Sequence, residues 1–399
     1  MKRGWIEAES KEWVEEGLID QKQRQAIVSR YKRHSTPTLF FFLAAILIGL
    51  ACLSLVAANW TAIHHLFRVL IILGFMSAFY FVGYRAFIRG HHGVGVFAYV
   101  VALSAFGSGI FLLGDMYHFS MNSTLPFFMW GIAALLIYLS QPHVFIWVFG
   151  LIVVFVGQML ATIQLHDFDW FLLALFVIAF GTTGYLLKQK RLMWLFTSLL
   201  AVQLFVFSVS ELEFYWFTIF ALTFYLVSYG VKFDEIQKPL QGTAVISMFI
   251  FVVFQALLFD PFVYSEAFVL QEIYYLFLIP FLSLVILLAI LNQEKVGLTQ
   301  LVLFLPVFVW PEYTTLLATF VLFTFSVGKM VEGDQLYEES KVKYGIVAFL
   351  ISIGIVYIEM AWDFLDRTFF FLMGGLVLFG VGMILNRYQR ERLKGSDEE

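Results

Sequence analysis

A chain of 399 residues that is 61% hydrophobic and only 14% charged is not an ordinary soluble globular protein, in which about half of the residues are apolar and roughly a quarter charged. The net charge of −4 excludes little, because in membrane proteins the placement of charge matters more than its sum. The basic residues are scattered along the chain rather than gathered on one face, which argues against nucleic-acid binding, and the single cysteine, Cys52, cannot form an intrachain disulfide.

Residues 1–37 are charged and polar, and the apolar run that follows has full spanning length, so no cleavable signal peptide is read here. Within "SKEWVEEGLIDQKQRQAIVSRY" (10–31), Ser10 can cap a short helix and Gly17 can end it. Asp20 and Gln23 then have the spacing of a capping box for a second helix. Trp13, Leu18, Ile19, Ala26 and Ile27 supply its apolar contacts. A helical hairpin of this size buries little on its own and needs another surface. That surface is the cytoplasmic face of the membrane domain or, in a sharper reading, a protein partner.

Apolar segments of membrane-spanning type follow near 38–58, 66–88, 93–114, 125–141, 143–163, 169–187, 191–209, 213–230, 240–259, 271–291, 296–310, 313–331, 343–362 and 367–386. The fold class predicted is therefore all-α, a polytopic transmembrane helical bundle over 38–386. A β-barrel would show short alternating segments instead. A basic-then-acidic tail occupies 387–399.

Lys and Arg favour the cytoplasmic side of membranes, and here they concentrate in alternate connections. Arg30, Lys32 and Arg33 come first, then Arg85 and Arg89, the Lys188–Arg191 turn, Lys232 and Lys238, Lys295, the Lys329–Lys343 stretch, and the C-terminal tail. The intervening segments hold only Arg68 and Arg367 among basic residues, each at the start of a span, with many acids. This alternation predicts both termini inside and an even number of spans. The segment 296–310, "VGLTQLVLFLPVFVW", would make only about 22 Å of helix and is interrupted by Pro306 and followed by Pro311. Two short crossings over 296–331 give fourteen spans, the reading preferred; a re-entrant hairpin there leaves twelve as the fallback.

No Asp, Glu, Lys, Arg or His falls at the centre of a span. That argues against a proton- or sodium-coupled transporter of the common kind, although unwound backbone can also bind ions. The intramembrane amides Gln158, Gln203 and Gln255 all lean toward the outer half. Three polar features stand at the outer ends: Asn59-Trp60 with His64 and His65 after the first span, "GDMYHF" (114–119) after the third, and "QLHDFDW" (164–170) between the fifth and sixth. If helix continues past Gly114, Asp115 and His118 share a face at i, i+3 spacing. Imidazole and carboxylate suit a transition metal or acid–base chemistry, and His118, Asp115 and His166 are the weak metal candidates. Interfacial positions account for such residues more simply, since helix ends and the aromatic belt favour them. No zincin motif, nucleotide-binding loop or nucleophile elbow appears, and no cofactor is implied.

One family likeness is carried by the hairpin "WVEEGLID", a first span ending "VAANW", "YFVGYR" at the end of the second, "GDMYHF" after the third and "FFMWGIAALLIYL" in the fourth. Over about residues 5–140 this resembles the bacterial predicted-membrane-protein family called domain of unknown function 2157. The family pattern, Ala-Asn-Trp after the first span and Gln-x-Tyr-His after the third, maps onto Asn59, Trp60, Tyr117 and His118. Asp115 stands where the family has Gln and adds negative charge. The resemblance implies a multi-pass protein of the bacterial inner membrane and brings no activity with it.

The function expected is binding or transport of a small polar, amphipathic or lipid-linked molecule in an outward-facing pocket lined by Asn59, Trp60, Asp115, Tyr117, His118 and Gln158. Such sites form between facing helices. Beyond that ligand, the partner expected is the lipid bilayer itself. A membrane-embedded enzyme using His118 as base and Asp115 as its orienter is the less favoured alternative. A scaffold or sensor working through the N-terminal hairpin is the third.

Overall fold

The computed structural model describes residues 36–58, 64–116, 123–211, 213–263, 272–291, 298–307 and 313–362, with single residues and short pieces of 9–24 and two residues beyond 362. Among the described residues there is helix and no strand. Nine helices there are long and apolar enough to cross a membrane, and Leu125–Ser140 and Trp216–Gly230 are shorter apolar helices. Together with Thr36–Ala58 and the short Leu298–Leu301, the helices in chain order are α1 (Thr36–Ala58), α2 (His65–Ile88), α3 (His92–Met116) and α4 (Leu125–Ser140). Then come α5 (Val144–Leu165) and α6 (Trp170–Leu187), α7 (Lys190–Ser210), α8 (Trp216–Gly230), α9 (Asp234–Val263), α10 (Glu272–Leu291), α11 (Leu298–Leu301), α12 (Thr314–Gln335) and α13 (Glu339–Trp362). The helices lie where the apolar runs lie, because a chain out of water must satisfy its backbone groups within each segment.

The chain divides into two compact units, Met1–Val154 and Phe155–Glu399. In the first, α3 is the central helix, and small residues let its neighbours approach closely. Tyr80 meets Tyr99 at 5.4 Å between ring centroids, while Phe87 covers Gly95 and Ile72 covers Gly109, so α2 runs antiparallel to α3. Phe41 lies by Gly93 and Ser104 by Gly49, so α1 runs parallel to α3. Trp130 lies flat over Gly107, where a Cβ would stand 2.3 Å from the indole ring. Phe111 meets Phe127 at 5.1 Å, which makes α4 antiparallel to α3.

In the second unit, Phe168 packs on Phe207 and Phe176 on Phe196, pairing α6 antiparallel with α7. Trp194 covers Gly242 and the hydroxyls of Thr197 and Thr243 bond at 2.7 Å, so α7 and α9 run parallel, with α8 closing on both. Tyr215 meets Tyr274 and Trp216 meets Phe277, which sets α10 parallel to α8. Thr315 donates to the Ala256 carbonyl at 3.4 Å and Phe249 meets Phe325, so α12 runs antiparallel to α9.

These pairings decide the path around the prolines. Thr299 lies against Gly328, near the end of α12, whereas Thr315, at the start of α12, lies against Ala256, near the end of α9. The described residues 298–305 form a single helical turn, a 3-10 turn at Val302–Phe304 and an extended Leu305, so helix stops where the interruption at Pro306 is expected. Pro306 is the cause, since a residue before proline is driven out of the helical region.

Several helices outrun their apolar segments. α9 starts at Asp234 rather than near 240, where Asp234 and Lys238 pair one turn apart. α13 starts at Glu339, which pairs with Lys343 at 3.2 Å. Acids in a first turn and i, i+4 ion pairs support helix in water. The α12–α13 corner is welded by charge: Glu332, 4% exposed, receives Lys329 at 2.8 Å and Lys341 at 2.9 Å. At the N-terminus the capping box forms: Asp20 Oδ1 accepts from the Lys22 and Gln23 amides, and Gln23 Oε1 accepts from the Asp20 amide. Ser10 differs from expectation. It lies within helix, and its hydroxyl accepts from Arg24 Nε at 3.3 Å.

Candidate functional site

The candidate site of the first unit lies at the end of the bundle where α1 and α3 finish. From the Gly49–Ser104 contact, each helix climbs at about 1.5 Å per residue, which brings Ala58 level with the last turn of α3. Helix does continue past Gly114, to Met116, so Asp115 belongs to that turn. Asn59 and Trp60 follow directly from one helix end, Tyr117 and His118 from the other. These four and the Asp115 side chain lie outside the described residues.

Arg68 is not among the lining residues expected from the sequence. It sits one turn before Ile72, the residue packed on Gly109, so it shares the face of α2 that meets α3. The antiparallel register puts Arg68 level with about Leu113, within a turn of Asp115. It is only 7% exposed. Buried charge within a spanning helix is costly and marks function by default. The signal that could have found it is its place at the start of the apolar run 66–88, read there for its sign alone.

Two histidines of the first unit cap helices. His64 Nδ1 accepts from the Leu66 amide at 3.4 Å, and His143 Nδ1 accepts from the Phe145 amide at 3.4 Å. Burial, and then His92 nearby, hold the His143 pKa below the usual histidine value. His166 is exposed, in a left-handed turn with φ 54°. Among the described residues no three His, Cys, Asp or Glu side chains come together in a way that could hold a metal ion.

The second unit has its own interior polarity. Gln158, fully buried, turns its carboxamide to the backbone of Asp169: the amide donates to the Asp169 carbonyl at 2.9 Å and its oxygen accepts from the Asp169 N–H at 3.3 Å. The Asp169 carboxylate meanwhile caps α6 by accepting from the Phe171 and Leu172 amides. Gln158 is thus engaged within its own hairpin, which carries π-helical turns at Ala161–Leu165 and Leu175–Phe180. Gln203 sits at matching depth, seven residues before the end of α7, on the face that presents Phe196 and Phe207 to α6. It is fully buried, and neither amide atom has a hydrogen-bond partner among the described residues. Gln255 is 2% exposed.

Residues 11–147 match the family model described as predicted membrane protein (DUF2157). The match covers about a third of the chain and includes every residue of the Arg68–Asp115 end. Among curated proteins and among solved structures, nothing matches this chain.

Proposed function

We propose that the chain is a multi-pass protein of the bacterial cytoplasmic membrane, with fourteen crossings and both termini inside. In this reading it binds or moves a small polar or amphipathic molecule, lipid-linked ones included, through a polar pocket that opens outward. The observation that carries the reading is Arg68. A guanidinium buried at the acidic, outward end of α2 faces α3 within a turn of Asp115, where Asn59-Trp60 and Tyr117-His118 leave their helices. Arginine is the residue suited to holding carboxylate or phosphate with paired N–H donors, and a cation beside Asp115 makes that end polar without making it strongly negative. Asn59, Trp60, Tyr117 and His118 complete the lining. In the second unit, the open amide of Gln203 and the hairpin tied by Gln158 would offer neutral hydrogen-bonding groups.

Native mass spectrometry of the purified protein tests this reading beside Arg68→Met and the double variant Asp115→Ala/His118→Ala. A bound lipid or metabolite carried by the parent and missing from both stable variants supports an outward ligand site and identifies its chemistry. Identical spectra from three equally stable proteins would refute it.

A further inference from the structure

A groove of about 230 Å³ runs along the second unit between α7 and α9. It goes beyond the outward pocket, because it lies in the second unit and none of its lining residues belongs to that pocket. Trp194, Phe205 and Phe217 wall it. Its rim residues Val202, Ile246 and Ile250 are 44%, 53% and 58% exposed, so it faces the surroundings of the bundle rather than its interior. The Thr197–Thr243 hydroxyl pair at 2.7 Å closes its floor, and these hydroxyls satisfy each other, which leaves the groove surface essentially hydrocarbon. It is held open by shape: Gly242 lies so near Trp194 that a Cβ there would stand 2.2 Å from the indole. The indole can therefore lie flat against the α9 backbone and leave the space beyond it free.

One end of this groove is cationic. Lys190 stands one turn above Trp194 on the same face of α7, and Lys238 one turn above Gly242 on α9. Asp234 pairs with Lys238 and lies within electrostatic reach of Lys190, which draws both ammonium groups to one mouth. The two connections that meet there carry Lys188, Lys190, Arg191, Lys232 and Lys238 against Asp234 and Glu235, an excess of three positive charges. Both helices also begin at this mouth, with the positive ends of their dipoles toward it. No side chain caps α7, since Gln189 makes no such bond.

A hydrocarbon slot under a cationic mouth, on a face turned to the bilayer, matches one class of ligand: a lipid whose acyl chain fills the slot while its anionic headgroup meets the lysines. We propose that this groove is a binding site for an anionic phospholipid, held by Lys190 and Lys238 at the headgroup and by Trp194 along the upper acyl chain. Cationic clusters beside spanning helices attract anionic headgroups, and the slot adds a fixed seat that a flat helical surface lacks.

The test reconstitutes the full chain in phosphatidylcholine vesicles containing the same minor fraction of either phosphatidylglycerol or phosphatidylcholine brominated near the glycerol end of its chains. Trp194 emission is read as the difference between the parent and Trp194→Phe. Brominated phosphatidylglycerol is expected to quench that emission more strongly than brominated phosphatidylcholine. The preference should fall by up to about thirtyfold in Lys190→Gln/Lys238→Gln, the size two lysines near anionic headgroups support. Equal quenching by the two lipids, or a preference unchanged in the double variant, would overturn the proposal. Should Trp194→Phe fail to fold, native mass spectrometry of the parent and the lysine variant, offered equal amounts of the two unbrominated lipids, decides the same point. Selective phosphatidylglycerol retention by the parent alone supports the site, and equal retention refutes it.

Discussion

Gln158 reaches across eleven residues to bind both backbone groups of Asp169, donating at 2.9 Å and accepting at 3.3 Å. The buried carboxamide thereby satisfies itself on the half-buried backbone that starts α6. Replacing Gln158 by leucine removes both of these bonds and leaves the Asp169 carbonyl with the Leu173 amide of α6, so Gln158→Leu should destabilise the protein by about 1 kcal/mol. Asp169→Ala removes a different function, the cap on α6, at about 1 kcal/mol. Because Gln158 holds the main chain of Asp169 and not its carboxylate, the double variant should show the sum within ~0.5 kcal/mol. Denaturant unfolding in detergent micelles measures all three. A coupling well above that margin would mean that the two side chains share one network.

Gln203 should behave in the opposite way. Its amide is fully buried with no partner among the described residues, so its desolvation is uncompensated in the empty protein. Gln203→Leu, close in volume and wholly apolar, should be neutral or stabilising by about 1 kcal/mol. The reading to take is the unfolding temperature of ligand-free protein, beside Gln158→Leu. A loss of more than about 2 kcal/mol would show that the amide already has a partner it needs.

Much of this contrast was legible in the sequence, and part of it was not. Gln158, Gln203 and Gln255 stand out as amides in apolar runs, and the helices begin and end near the places where charge begins and ends. Hydropathy alone cannot separate Gln158 from Gln203, because one meets a backbone and the other does not, and that is a matter of packing. The π-helical turns of 161–165 and 175–180 are invisible for a similar reason: in a uniformly apolar run no periodicity marks an i+5 bond. The burial of Arg68 depends on the register of α2 against α3, which its place at the start of a span does not reveal. The start of α9 at Asp234 is hidden from hydropathy because helix continues into water wherever acids and i, i+4 pairs support it.

The Glu332 cluster allows a test of how the α12–α13 corner is held. Its carboxylate is 4% exposed and takes two lysines, Lys329 and Lys341, while Lys341 also reaches Glu338 at 3.3 Å. Removing the shared acid leaves two cations facing each other, so Glu332→Ala should cost about 2–4 kcal/mol. Lys341→Met leaves the Lys329–Glu332 pair intact and should cost less, about 1 kcal/mol. Lys329→Met/Lys341→Met/Glu332→Leu removes the buried charge altogether and should recover most of the loss. Thermal unfolding of the set gives the order. If the triple variant is no more stable than Glu332→Ala, packing rather than charge governs the corner.

Protonation of His143 should loosen the other corner of the fold, between α4 and α5. Its Nδ1 accepts from the Phe145 amide, which requires that nitrogen to be unprotonated. Burial, and then His92, lower its pKa, so the folded protein binds fewer protons at this site than the unfolded chain does. Stability from His143 is therefore fully present above the unfolded value of about 6.5 and is lost as pH falls through the lower folded value. The unfolding temperature should drop between pH 7 and pH 5, and His143→Asn should flatten that dependence. Asparagine keeps an acceptor at the cap and cannot take a proton, so at pH 7 the variant should stay close to the parent while at pH 5 it should exceed it. The comparison is made by thermal unfolding across that range, and parallel curves for parent and variant would assign the pH dependence to other groups.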